Sequence, residues 1–318
     1  MTAATGPVVA LSGGVGGAKL ARGLDRVLAP GGLTVIVNTA DDFDHLGLHV
    51  SPDLDSVLYA LAGLDNAATG WGRRDETWTF MDALAGLGGE TWFRLGDGDL
   101  ATHVERSHRL RGGDRLSAIS DDFRTRLGIA ARILPMSDDP VRTIVETADG
   151  DLDFQHYFVR DRCEPAVLGF RFDGATAARP APAVLDALAD PALAAIIICP
   201  SNPFVSVDPI LAIPGIRDAM VAASAPVIAV SPIVGGRALR GPAAKMMAEL
   251  GLPATAQAVA RHYGGLLSGY VIEATEGPEA AEEYEIPVLR TETVMTDIAS
   301  RERLARDVLA FTGQLVAG

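Results

Sequence analysis

Positive charge is scarce in this chain. Its 318 residues carry 41 Asp and Glu against 27 Lys and Arg, a net charge of −14. A nucleic acid or an anionic membrane would need a basic face, so neither is an expected partner. Lysine is nearly missing, with Lys19 and Lys245 the two present. Each sits beside a glycine-rich stretch, where a compact ammonium suits a phosphate. Cysteine is equally rare: Cys163 and Cys199 supply no disulfide framework and no metal spacing, which points to a reducing cytoplasm. Met1–Gly14 lacks the basic start of a signal peptide, and apolar runs such as Ile196–Ile198 are too short to span a bilayer. No repeat, low-complexity tract or Gly-x-Ser-x-Gly elbow occurs.

What is present is an apolar majority, 48% of residues, and one organising stretch, Val8–Leu20. An apolar run stops at Ser12, Gly13, Gly14, Gly16 and Gly17 follow, and a helical pattern opens at Ala18. Strand, glycine turn and helix together aim backbone N–H groups at an anion. Glycine is expected there for positive φ and for close approach of a ligand to the backbone. The Walker A pattern fails, because Gly17-Ala18-Lys19-Leu20 lacks Gly-Lys-Ser/Thr. The dinucleotide fingerprint fails as well, ending on Lys19. A phosphate cradle of another kind and a structural glycine turn are the two readings that remain.

A second strand, Leu33–Asn38, ends in Asn38-Thr39-Ala40-Asp41-Asp42, and Ser51-Pro52-Asp53-Leu54-Asp55 opens a helix expected over Ser56–Leu64. Five carboxylates lie within positions 41–55. Helix capping explains one or two of them. A Mg2+ site beside the phosphates explains more. His45 and His49 are neighbours that a hard cation would not need.

Further on, Thr91–Leu95 reads as a strand into Gly96-Asp97-Gly98-Asp99, followed by polar helices over Leu100–Leu110 and Arg115–Leu127. Alternation over Val141–Phe172, including Phe154–Val159, reads as a small antiparallel unit. Strands then alternate with helices: Ala194–Cys199 into a rigid Pro200-Ser201-Asn202-Pro203 loop, a helix Ile210–Ala223, and Pro226–Val230 into a glycine-rich loop carrying Arg237, Arg240 and, on the next helix, Lys245. The expected fold is α/β: a Rossmann-like, mostly parallel sheet with helices on both faces, plus an inserted smaller α+β lobe. Residues 1–69 and 186–318 form the core and 70–185 the insertion. Loops at one sheet edge then converge on a site for a phosphate-bearing ligand and a metal, which suits phosphoryl-type transfer.

Eight segments resemble the CofD/FbiA family in order over most of the chain. They are Leu-Ser-Gly-Gly-Val-Gly-Gly-Ala-Lys-Leu, Asn-Thr-Ala-Asp-Asp-Phe, Ser-Pro-Asp-Leu-Asp-Ser, Trp-Phe-Arg-Leu-Gly-Asp-Gly-Asp-Leu-Ala-Thr-His, Leu-Pro-Met-Ser-Asp-Asp, Phe-Gln-His-Tyr-Phe-Val, Cys-Pro-Ser-Asn-Pro and Gly-Gly-Arg-Ala-Leu-Arg-Gly-Pro-Ala-Ala-Lys. That family is the 2-phospho-L-lactate transferase of coenzyme F420 biosynthesis. The resemblance implies Mg2+-dependent transfer from a guanosine diphosphate-linked three-carbon acid to the ribityl hydroxyl of the deazaflavin Fo, releasing GMP. The acid is left open among lactyl, phosphoenolpyruvyl and phosphoglyceryl forms, and Val15 stands where many relatives have Thr. Carried over, Gly13–Gly17 and Lys19 hold the donor phosphates, Asp41, Asp42, Asp53 and Asp55 supply the metal ligands, and Asn38 and Thr39 belong to the binding site. Ser201, Asn202 and Pro203 meet the Fo or diphosphate edge. Arg237, Arg240 and Lys245 neutralise GMP, and Asp97, Asp99, Thr102 and His103 form the acceptor side. Asp42 or Asp53 is the expected catalytic base, and a homodimer is implied. The rival reading is a nucleotide-sugar-binding regulatory protein of a related group; a nicotinamide dehydrogenase is disfavoured by the failed fingerprint.

Overall fold

Strand β1 (Val8–Ser12) is buried along its whole length and lies between two parallel neighbours. A computed structural model describes residues 6–66, 71–238, 241–276 and 284–317. Helix α1 (Val15–Val27) follows β1, and β2 (Leu33–Val37) pairs with it in register, Leu11 opposite Ile36. A short hairpin, β3 (Phe43–His45) and β4 (Leu48–Val50), leads to α2 (Pro52–Ala62). Helices α3 (Thr79–Gly86), α4 (Asp97–Arg111) and α5 (Leu116–Arg126) precede β5 (Arg132–Pro135). Then β6 (Arg142–Thr147), β7 (Gly150–Asp153) and β8 (Val167–Asp173) make a separate antiparallel sheet.

After α6 (Val184–Leu188) the chain returns to β1 through β9 (Ala195–Ile198), which pairs on its other side. Helices α7 (Asp208–Ala212) and α8 (Ile216–Ala222) lead to β10 (Val227–Val230). A two-stranded ribbon, β11 (Ile233–Val234) and β12 (Arg237–Ala238), precedes α9 (Ala243–Glu249) and α10 (Ala256–Tyr263). Strands β13 (Gly269–Glu273) and β14 (Val288–Thr291) and helix α11 (Ile298–Ala317) close the fold. The seven-stranded sheet has the order β14-β13-β10-β9-β1-β2-β5 and is parallel throughout. The chain grows outward from β1 through β2 to β5, then restarts beside β1 at β9. The reversal between β1 and β9 is the switch point where open α/β sheets bind ligands.

Both faces of the sheet are covered, as its strands require: nearly continuous apolar runs such as Ala195–Ile198 suit burial on two sides. Alternate residues serve opposite faces. Val8 and Ala10 pack with Leu20, Leu24, Leu58, Leu304 and Val308 under α1, α2 and α11. Val9 and Leu11 pack with Val145, Val167, Ile210 and Met246 beneath the small sheet and the later helices.

Five expectations need correction. Residues 91–95 form no strand, and α4 begins at Asp97 instead. Phe154–Val159 is not a strand: His156–Arg160 is a π-helical turn, because Phe154 and Phe158, four apart, stack at 5.4 Å while Tyr157 is buried. The rigid loop expected over Pro200–Pro203 is shorter than that, since Pro203 is the first residue of a π-helical turn through Val207. The helix expected over Ile210–Ala223 is broken in two at Gly215, whose φ is +89°. Finally, the span 70–185 expected to lie outside the core contributes β5, the edge strand, through pairs such as Ile36 with Leu134.

The β1–α1 junction leaves no room for side chains. A Cβ on Gly16 would overlap the Pro200 carbonyl, whereas one on Gly86 would meet nothing. Overpacking of this kind costs about 1–3 kcal/mol. Gly16→Ala should therefore lower the melting temperature by roughly 3–8 °C in differential scanning fluorimetry, while Gly86→Ala leaves it level or slightly raised. An unchanged value for Gly16→Ala would contradict the packing described.

Candidate active site

The loops that leave β1, β2 and β9 meet at one edge of the sheet. The Gly13 N–H donates to Ser201 Oγ at 3.1 Å, joining the β1 and β9 loops. None of Gly13, Gly14, Gly16 and Gly17 has positive φ, contrary to the left-handed turn expected. They serve close approach: a Cβ on Gly14 would stand 2.6 Å from Asp53 Oδ1, and one on Gly17 2.7 Å from Ser201 Oγ. Helix α1 has no side-chain cap and no acidic residue in its first turn. Its leading N–H groups therefore have no partner within the helix and carry a partial positive charge.

Against this turn lies a buried group of carboxylates. Asn38, at the end of β2, donates from Nδ2 to Asp53 Oδ2 at 3.0 Å and to the Val205 carbonyl at 3.2 Å. Its Oδ1 accepts from the Ala40 N–H at 2.9 Å, which shapes the turn bearing Asp41 and Asp42. Helix α2 starts at Pro52, four residues before the expected Ser56, so Asp53 and Asp55 sit in its first turn. Asp42 Oδ2 accepts from Ser51 Oγ at 2.8 Å and meets His49 Nε2 at 3.1 Å. Asp41, Asp42 and Asp53 are all buried, and Asp41 Oδ1 and Asp42 Oδ1 have no hydrogen-bond partner. Burial, reinforced by the charges of Asp53 and Asp42, drives Asp41 well above the usual carboxylate range. Burial likewise raises Asp53 to about 7, against the Asn38 bond and with the charge of Asp42. Carboxylates held this way out of water without a counter-charge are destabilising, and orphaned oxygens suit a hard divalent cation.

Asp55, the fourth expected ligand, is occupied by a protein cation. Arg106 donates to its Oδ2 at 3.0 Å and to its Oδ1, and Arg106 is itself only 2% exposed. His103 Nδ1 lies 3.6 Å from Asp55 Oδ2 and its Nε2 lies 3.3 Å from Asp99 Oδ2. The Tyr59 hydroxyl donates to Asp99 Oδ1 at 2.6 Å and sits 2.9 Å from Thr102 Oγ1. Among the described residues, Asp55, Asp99 and His103 are a set whose ligand atoms fall within 4.8 Å of one another. The guanidinium of Arg106 already neutralises that set, so it fits a metal less well than the cluster around Asp41. The sequence marks Arg106 as one polar residue of this helix but gives it no role at Asp55. Asp99, His103 and Arg106 follow an i, i+4, i+7 spacing, one face of α4, and that periodicity was the available signal.

Next to Asp41 and Asp42 lies a group of rings. Phe43 packs on Phe93 with centroids 4.8 Å apart, His45 on Trp92 at 5.1 Å, and Trp92 on His156 at 5.0 Å. Gln155 Nε2 donates to the Asp41 carbonyl at 3.2 Å, which ties this group to the acidic turn. Burial lowers the His45 pKa, and its Nε2 is buried without a partner.

Other expected site residues have structural partners. Asp97 accepts from the N–H groups of Thr79 and Phe80 at the start of α3, both at 3.0 Å. Asn202 Oδ1 accepts from the Phe204 N–H at 3.0 Å, ahead of the turn that Pro203 opens. Thr39 is buried in the turn, its carbonyl accepting from the Asp42 N–H at 3.3 Å. Lys19 donates to the Met295 carbonyl at 3.1 Å, pointing toward α11. Lys245 binds Glu249 at 2.6 Å and the Pro165 carbonyl at 3.0 Å, which joins α9 to the segment before β8. Arg237 is exposed on β12, and Arg240 lies outside the described residues.

A family model described as 2-phospho-L-lactate transferase CofD matches residues 8–312. The chain belongs to the CofD family. Membership makes this CofD chain a transferase. It is 43% identical to a phosphoenolpyruvate transferase of Streptomyces avermitilis over 317 residues, covering 97% of this chain and 98% of that one. It is also 38% identical to the phosphoenolpyruvate transferase of Nocardia farcinica, covering 98% and 96%. A crystal structure of a UPF0052-family protein from Bacillus halodurans superposes with TM-score 0.64 at 16% identity, covering 96% of this CofD chain and 99% of the other, a likeness of fold. No described helix is long and apolar enough to cross a membrane.

The acidic cluster makes a pH prediction. Because the folded pKa of Asp53 lies near 7, above the ordinary 3.8, the unfolded chain loses its proton first. The metal-free protein should therefore lose stability as pH rises from about 4 through about 7. A cation needs the ionised carboxylates, so Mg2+ should raise the melting temperature more at pH 8 than at pH 5.5, by roughly 5 °C at saturation. An equal gain at both pH values, or none, would contradict the assignment.

Proposed function

We propose that the chain transfers a phosphorylated three-carbon acid from a guanosine diphosphate donor to the terminal hydroxyl of Fo, releasing GMP, in coenzyme F420 biosynthesis. The relatives' names favour the phosphoenolpyruvyl form of the donor. The observation that carries the reading is the buried carboxylate group set against the uncapped start of α1. Diphosphate transfer needs those two features side by side: N–H donors for phosphate oxygens and carboxylates for the accompanying cation.

In this reading the N–H groups of the first turn of α1 hold the donor phosphates. Asp41 and Asp42 hold Mg2+ through their unpartnered oxygens, and one or two carboxylates plus substrate phosphates are a usual Mg2+ environment. Bound there, Mg2+ neutralises the diphosphate and the charge that builds on the leaving GMP. Ser51 and His49 keep Asp42 in place, and Asn38 does the same for Asp53. Asp53 accepts the proton of the Fo hydroxyl as its oxygen bonds to the phosphorus carrying the acid and the bond to GMP breaks. Asp53 is placed for that task by the Asn38 bond and by its approach to Gly14 at the start of α1. The rings of Phe43, His45, Trp92 and His156 offer the flat acceptor a wall beside the acidic turn. A homodimer and a cytoplasmic setting belong to the same reading.

Incubation with Fo, Mg2+ and each of the three candidate donors, followed by mass spectrometry, tests it. The expected result is an Fo adduct carrying phosphoenolpyruvate, with stoichiometric GMP, lost on adding EDTA. Protein that binds nucleotide yet forms no adduct with any donor would favour the regulatory-binder alternative. Asp53→Asn should lower kcat about 100-fold or more with donor affinity within threefold of wild type. Unaffected turnover would remove Asp53 from the base role.

A further inference from the structure

Three consecutive residues after β7 meet three different parts of the molecule. Gln155, 5% exposed, donates from Nε2 to the Asp41 carbonyl at 3.2 Å. His156 sets its ring against Trp92 at 5.0 Å. Tyr157 is fully buried, and the Lys245 ammonium of α9 donates to its hydroxyl at 3.4 Å and lies 5.7 Å from its ring centroid. The π-helical turn that opens at His156 thus joins the acidic turn, the ring group and α9, and turns of this kind recur at functional sites.

The acidic turn is gripped at two successive carbonyls. The Thr143 N–H of β6 donates to the Ala40 carbonyl at 2.7 Å, and Gln155 holds that of Asp41. The first bond is main chain to main chain, so any residue but proline at 143 supplies it. The second depends on one side-chain amide. The residue it holds is under electrostatic load: the Asp41 carboxyl is buried near Asp42 and Asp53, and its Oδ1 has no partner. An outer-shell hydrogen bond of this kind keeps a metal-binding residue oriented. Behind the turn, Lys245 is engaged on every side that the structure records, by Tyr157, by Glu249 at 2.6 Å and by the Pro165 carbonyl at 3.0 Å. Its charge is answered inside the protein.

We propose that Gln155 is a positioning residue for the cation turn, and that Lys245 braces it through Tyr157 instead of binding the leaving nucleotide. Gln155 holds the Asp41 backbone in place before the cation arrives, so less ordering accompanies binding. The inference rests on the cation assignment made in the transfer reading.

The test uses Gln155→Met, which keeps the length and removes the donor, and Lys245→Met. Arg160→Ala, at the exposed end of the same turn, is the control. Mn2+ affinity is read by electron paramagnetic resonance with no substrate present. It should weaken about tenfold in Gln155→Met and about threefold in Lys245→Met, and stay level in Arg160→Ala. GDP affinity, measured by calorimetry in EDTA, should stay within about twofold of wild type in all three. In turnover, Gln155→Met should need about tenfold more Mg2+ and regain the wild-type kcat at saturation, whereas a merely structural lesion lowers kcat at every Mg2+ concentration. Unchanged Mn2+ affinity in Gln155→Met, or a kcat that saturating Mg2+ does not restore, would overturn the role of Gln155. Loss of GDP affinity in Lys245→Met would overturn that of Lys245. If circular dichroism shows Gln155→Met unfolded, Gln155→Asn, whose amide is one methylene too short, carries the same expectations. The Mn2+ measurement needs neither Fo nor donor. An absent Fo adduct would therefore end the transfer reading and leave this assignment standing on its own result.

Discussion

The structure depends on carboxylates buried against the start of a helix. Asp53 lies so close to Gly14 that a Cβ there would stand 2.6 Å from its Oδ1, and Ser206 and Pro200 press on Gly13 and Gly16 in the same way. The glycines make this approach possible, and the approach puts an acidic side chain where an uncapped helix offers N–H groups and partial positive charge. Asn38 holds the arrangement from below by bonding Asp53, the Val205 carbonyl and the Ala40 N–H together. With Asp41 and Asp42 added, negative charge exceeds what the local protein donors satisfy, as the two orphaned oxygens record. The proposed cation would balance that charge.

A few residues away the same problem is solved internally. Asp55 belongs to the same helical turn as Asp53, yet Arg106 from α4 neutralises it with paired bonds. Asp99 is held below the ordinary carboxylate range, against its burial, by His103, the Tyr59 hydroxyl and Arg106. One helix start therefore carries a carboxylate paired with a protein cation, Asp55, and one held by the neutral Asn38 amide, Asp53, two positions apart. Breaking the satisfied pair by removing one partner would cost about 3–5 kcal/mol, which gives it the character of a clamp between α2 and α4. Asp53, raised to about 7 by burial, responds to pH.

Much of this was legible in the sequence. Strand, glycine turn and helix at Val8–Leu20, the parallel order of later strands and the small antiparallel unit all followed from periodicity and glycine placement. So did the meeting of Gly13, Asn38, Asp41, Asp42, Asp53 and Ser201, because loops at the ends of neighbouring parallel strands must converge. What was not legible depended on tertiary partners. The φ values of the glycine turn are set by what packs on it. Phe154–Val159 alternates like a strand, but the stack of Phe154 on Phe158 needs helical spacing. The roles of Asp55 and Lys19 could not be read because Arg106 and Met295 lie 51 and 276 residues away. The place of β5 in the core sheet is not legible either, because β-sheet neighbours distant in sequence leave no local mark.

The central claim is that a divalent cation and a diphosphate share one site made by Asp41, Asp42 and the first turn of α1. Its most direct test is electron paramagnetic resonance of Mn2+, used in place of Mg2+, titrated with and without GDP. The account predicts that GDP tightens Mn2+ binding at least tenfold, that Mn2+ tightens GDP by the same factor, and that Asp41→Asn and Asp42→Asn each weaken this coupling. Mn2+ binding that ignores GDP, or that survives both substitutions unchanged, would contradict it.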